Sequence, residues 1–82
     1  MNASEIKQLI ENSLTDCMAR VSGEDGVHFT ASVITPDFIG KNRIQKQQLV
    51  YATLGNRIHD GTIHALSIKT FTPDEWQNLN TK

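Results

Sequence analysis

Three histidines and one cysteine are the side chains of this 82-residue chain best suited to hold a borderline metal. His64 stands first among them. It opens the run "HALSIKTF", whose alternation predicts a strand, and a strand end is a rigid platform from which a ring can be presented. A neutral imidazole is a common metal ligand. His64 also shares parity with Leu66 and Ile68, which equally suits a ring at the rim of the core, satisfied by a backbone carbonyl. His28, just after the "GEDG" loop, is the second candidate. It falls with Thr30 and Ser32 and opposite Phe29 and Val33, so both rings could meet one ion only if the chain near 26–28 leaves the strand plane. His59, before Asp60 at a helix end, reads as structural, a cation suited to the helix dipole. Cys17 reads as a small buried side chain at the start of a strand.

No Cys-x-x-Cys, no Cys/His pair at finger spacing and no His-Glu-x-x-His occurs. A four-ligand metal site made by this chain alone therefore lacks support, and a metal held here needs donors from a second molecule. Nothing reads as an enzyme: there is no Ser/His/Asp set and no glycine-rich phosphate loop after a strand. Asp74 and Glu75 are explained by helix capping. Lys41, Arg43, Lys46 and Arg57 cluster around one flank of a predicted helix, a local basic patch that is either a solvated charged flank or a docking surface for a small anionic ligand, an acidic partner or a nucleic-acid backbone. The formal net charge is only −1, which weakens the nucleic-acid reading, because phosphate neutralisation favours a basic excess.

These residues must be positioned by a small fold. A chain of this length predicts one domain, 1–82, with a single modest core. One cysteine cannot form an internal disulfide, and no apolar run approaches the ~20 residues of a membrane span. The expectation is a soluble, cytoplasmic protein, monomeric or a weak homodimer when alone. Asn2 and Glu5 fit a capping box, and Ile6, Leu9, Ile10 and Leu14 recur at helical spacing, predicting a helix over 3–14. "CMARVSG" and "VHFTASVI" alternate around "GEDG", a hairpin in which Cys17, Ala19 and Val21 lie on one side of the first strand and Val27, Phe29, Ala31 and Val33 share a face of the second. "TPDFIG" is a turn-rich connector. A second helix is predicted over 42–59, with Ile44, Gln47, Val50, Tyr51, Leu54 and Ile58 inside one arc of about 120° and Leu49 off it. Gly55 is a point for a kink or split, and Asp60–Gly61 a stop. "IHALSIKTF" is the third strand, and Thr72, Pro73 and Glu75 start a short helix carrying Trp76. The order α-β-β-α-β-α implies an α+β, two-layer domain with a three-stranded mixed sheet, both long helices on one face and much of the other face open.

The segments "IHALSIKTFTPDEW" and "FIGKNRIQKQQLVYATLG", in this element order, resemble the BolA family, in particular its IbaG-like branch. The resemblance implies a fold similar to the type II KH domain, although the Gly-x-x-Gly of nucleic-acid-binding KH domains is missing from "GKNRIQ". It implies that His64, the histidine before Ala-Leu on the last strand, co-ligates a [2Fe-2S] cluster shared with a monothiol glutaredoxin. The glutaredoxin cysteine and glutathione would supply the other donors, and the isolated chain would hold no cluster. BolA-like proteins often carry a cysteine or histidine after the first hairpin loop, which makes His28 the further candidate ligand. The resemblance also implies a link to acid stress, and some members are implicated in transcription, so nucleic-acid binding through Lys41, Arg43 and Lys46 stands as the alternative.

Overall fold

The computed structural model describes residues 2–23, 28–55 and 65–80. Asn2 caps the first helix, α1 (Ala3–Ser13): its side chain accepts from the Glu5 N–H at 2.9 Å, while the Glu5 carboxylate accepts from the Asn2 N–H at 3.3 Å. This reciprocal box satisfies two of the donors that every helix start leaves over. Ile6 and Ile10, one turn apart, are wholly buried, with Leu9 and Leu14 packed at their margins. The chain then turns through Asp16, at φ 43, into β1 (Met18–Ser22), which pairs antiparallel with β2 (His28–Ile34). After a 3-10 turn, Pro36–Phe38, come α2 (Arg43–Leu54), β3 (Ala65–Phe71) and α3 (Pro73–Asn80). β3 runs parallel to β2, and the sheet order is β1-β2-β3.

Strand alternation sorts the sheet into two faces. Ala19, Phe29, Ala31 and Val33 are buried on one face, where Leu66 and Ile68 join them from β3. Both α1 and α2 cover this face, since Ile6, Ile10, Val50 and Leu54 belong to the same core. The second face carries Arg20, His28, Thr30, Ser32 and Lys69, as the register of both ladders requires. One end of it is closed by α3. Trp76 meets Phe71 edge-on at 5.3 Å, and the Arg20 guanidinium lies 5.1 Å from the Trp76 ring centre. Ile34, also on this face and the register partner of Phe71, is 5% exposed. Ser22, Thr30 and Ser67 stay open to water.

The element order and strand pairing are those expected; four local expectations change. The second helix ends at Leu54, with Gly55 as its cap at φ 61, rather than running to residue 59. A positive φ is open to glycine at little cost, so Gly55 stops the helix instead of kinking it. The proposed stop at Asp60–Gly61 and the core position of Ile58 lie outside the described residues. Ile44 and Tyr51, placed in the buried arc, are 69% and 40% exposed. Leu49, placed off that arc, packs against the core and borders a hollow between the helices with Leu14. The apolar arc was centred too far round the helix because Ile44 and Tyr51 counted as equals of Val50 and Leu54. Finally, the connector "TPDFIG" contributes core: Phe38 is fully buried, held by the 3-10 turn that Thr35 caps and Pro36 opens.

Candidate functional site

Two places on this scaffold could do chemistry with another molecule. The first is the end of the sheet where β2 and β3 begin. His28 is the first residue of β2, exposed, and on the second face with Thr30 and Ser32. Its register partner is Ala65, the first residue of β3. His64 is covalently next to Ala65, although His64 itself lies outside the described residues, as do His59 and Arg57. The parallel register thus brings His28 and the neighbour of His64 to one end of the sheet. How residues 26 and 27 enter β2 also lies outside the described residues.

Cys17 does not extend this donor set. It is half-buried beside the helix-facing core. Burial, followed by the nearby Glu11 and Asp37 carboxylates, pushes its thiol up to about 11. A protonated thiol is a poor ligand at neutral pH, because the thiolate is the donor. Among the described residues no three His, Cys, Asp or Glu side chains are placed to hold a metal ion together. The donors fit a cluster as a minority contribution only.

The second place is a groove of about 340 Å³ between the start of α2 and the far end of β3, lined by Arg43, Lys46, Gln47 and the four consecutive residues Ile68–Phe71. Asn42 fixes the start of α2 through a second capping box, accepting from the Gln45 N–H at 2.9 Å and donating its own N–H to the Gln45 carboxamide at 3.0 Å. That box holds Arg43 and Lys46 beside the strand, where Lys69 joins them. Lys41 is exposed just before the helix. Glu75 also feels Lys46, but its carboxylate is held low chiefly by the Thr72 N–H, which donates to it at 2.8 Å, and by the Thr72 hydroxyl. Glu75 is therefore a capping residue, as the sequence implies, with Thr72 and Pro73 in their expected places.

Sequence reasoning identified Arg43 and Lys46 but passed over Lys69. Strand parity sets Lys69 on the face opposite Ile68 and Thr70, but only the sheet order shows that its strand has a paired neighbour on one side. Thr35 was missed as well. It is the buried polar side chain of the described core, its hydroxyl donating to the Thr15 carbonyl at 2.6 Å and accepting from the Asp37 N–H at 3.2 Å.

Comparison with known proteins settles the lineage. The family profile described as BolA-like protein matches residues 4–75. The chain belongs to the BolA family. Acid stress protein IbaG of Escherichia coli (strain K12) is 43% identical over 76 residues, covering 93% of this chain and 89% of that protein. A BolA homologue from Coxiella burnetii superimposes with a TM-score of 0.83 at 41% identity, over 94% of this chain and 97% of its own. The DNA-binding transcriptional regulator BolA of Haemophilus influenzae is 34% identical over 53 residues, 65% of this chain and 50% of that protein. The three-stranded mixed sheet with its three helices is thus the BolA fold.

Proposed function

We propose that this BolA-family chain is a non-enzymatic adaptor in iron–sulfur cluster assembly and trafficking. It docks on a monothiol glutaredoxin and completes the coordination of a [2Fe-2S] cluster through His64, with His28 as a further candidate donor. The observation that supports the reading most is the β2–β3 register, in which His28 stands opposite Ala65, the residue after His64. The donor count supports a shared site. A [2Fe-2S] cluster takes four protein-type ligands, mostly thiolates, and the described residues offer an imidazole and a thiol kept protonated. The remaining thiolates must come from outside, which fits the glutaredoxin cysteine and glutathione. Imidazole in place of thiolate on one iron raises the cluster potential, so the chain changes the stability and destination of its cargo without chemistry of its own. The name of its IbaG relative extends the reading to acid-stress physiology.

The test is to mix the chain with a cluster-loaded monothiol glutaredoxin and record visible absorption and circular dichroism. His64→Ala should change the cluster spectrum, and His28→Ala should change it less. An unchanged spectrum with His64→Ala removes that ring from the site.

A second reading, nucleic-acid binding, draws on Arg43 and Lys46 beside Lys69, and on Lys41 before the helix. The printed name of the Haemophilus influenzae relative favours it. It predicts affinity that falls with log salt at a slope of about −2 to −3, for roughly three phosphate contacts. Absence of a salt-sensitive complex at micromolar protein would remove it.

A further inference from the structure

The groove between α2 and β3 follows an edge. Its strand wall consists of Ile68, Lys69, Thr70 and Phe71 in unbroken succession. Residues of alternate parity point to opposite faces, so a groove that touches all four lies along the rim of the sheet rather than on either face. β3 is the last strand of the order β1-β2-β3. The Phe71 carbonyl accepts from the Thr35 N–H at 3.2 Å, which directs the polar groups of Phe71 toward β2. In a parallel ladder, successive residues alternate between pairing inward and facing outward. Lys69 and Ser67 therefore pair with β2, while Ile68 and Thr70 turn their N–H and C=O groups outward into the groove. Among the described residues no backbone partner meets them. An edge of this kind is a template for an added strand.

The lining also specifies what kind of strand. Three of its side chains are cations, Arg43, Lys46 and Lys69, and none is acidic. Arg43 and Lys46 stand on α2, on the helix-covered side of the sheet, whereas Lys69 stands on the other face. A second copy of this chain pairing through the same edge would bring two such triplets together, which charge opposes. We propose that this groove binds an extended acidic segment of a partner protein as a fourth strand, parallel or antiparallel to β3. Its backbone pairs with Ile68 and Thr70. Three consecutive acids match the cations: the outer two face Arg43 and Lys46, and the middle one faces Lys69. This surface is at the opposite end of β3 from Ala65, so it acts independently of cluster ligation, and the test uses the chain without any cluster.

The probe is a blocked heptapeptide, Thr-Val-Asp-Glu-Asp-Val-Thr, titrated into the ¹⁵N-labelled chain at low salt. Amide hydrogen exchange should slow about tenfold or more at Ile68 and Thr70, while Ser67 and Lys69, already paired with β2, change little. Replacing the three acids by Asn-Gln-Asn should weaken binding about tenfold, as should Lys69→Glu. The peptide substitution keeps the test decisive if the protein variant misfolds. Several results overturn the proposal: no exchange change at millimolar peptide, equal binding of a charge-matched peptide with prolines at alternate positions, or protection of all four residues alike. So does slowed exchange at Ile68 and Thr70 that grows with protein concentration alone, which makes the edge a self-association surface. Displacement of the peptide by a twelve-nucleotide oligo-dT that binds more tightly reassigns the groove to nucleic acid.

Discussion

The two long helices cover the same sheet face yet are held to it very differently. α1 buries Ile6 and Ile10 completely and is tied to the sheet by polar contacts as well. The Ala19 N–H of β1 donates to the Glu11 carboxylate at 3.0 Å, which also accepts from Lys7 at 2.6 Å. Just beyond the helix, the Thr15 carbonyl and N–H are taken by Thr35 and Asp37. In α2 only the second half is committed. Val50 and Leu54 are buried, while Ile44 is 69% exposed and the helix start faces the groove with Arg43 and Lys46. The hydrogen bonds of its capping box and of the Thr53 hydroxyl, which donates to the Val50 carbonyl at 2.6 Å, stay within the helix. One helix is a structural buttress. The other is anchored at one end and leaves its opposite end exposed beside the groove.

Substitutions can break this contrast. Ile10→Ala should cost about 2–5 kcal/mol, since it leaves a cavity in the closed core, read as a drop in the urea midpoint. Gly23→Ala should cost about 1–3 kcal/mol by overpacking, because its new Cβ would come within 2.2 Å of the buried Phe29 ring. Thr35→Val should cost about 1–3 kcal/mol by the same measurement, through a hydrogen-bonded pair left incomplete. Ile44→Ala should fall within about 0.5 kcal/mol. If it costs as much as Ile10→Ala, the start of α2 is core and the contrast fails.

A further small effect has its clearest signature in pH dependence. Glu11 is held below the ordinary carboxylate range, first by the Lys7 hydrogen bond and then by the Ala19 N–H. Its ionised form is favoured by the fold, so its contribution is complete above the unfolded value of 4.5 and is lost as pH falls through the lower folded value. Glu11→Gln should lower stability at neutral pH by less than about 1 kcal/mol, given partial exposure. It should also flatten the loss of stability below pH 4.5. A denaturation series from neutral pH downward that shows parallel curves for both proteins would place the α1–β1 tie elsewhere.

Legibility in the sequence followed the strength of the local signal. The three capping boxes among the described residues each join residues three apart; the sequence shows the Asn2–Glu5 box and the Thr72 and Glu75 cap signals plainly, and the Asn42–Gln45 box went unread. The second-face position of His28 followed from strand parity and holds in the structure. The burial of Phe38 was hidden because a Pro-containing connector carries no periodicity, and only the packing of the 3-10 turn under the core shows it. Lys69 was passed over for a related reason. Its importance comes from a strand having a single neighbour, and that is a property of the assembled sheet.

The sequence by itself determined the order of elements, which residues of each strand share a face, where helices start, and the family to which the chain belongs. Those features depend on contacts between residues a few positions apart, or on backbone geometry that repeats every two or 3.6 residues. Tertiary structure alone decided which half of α2 is buried, that α3 crosses to the second face through Trp76, and that Ile68 and Thr70 look out over a cationic groove. The physical reason is that burial and edge exposure depend on what distant segments leave uncovered. An apolar stripe states that a face can be buried, and the rest of the chain decides how much of it is.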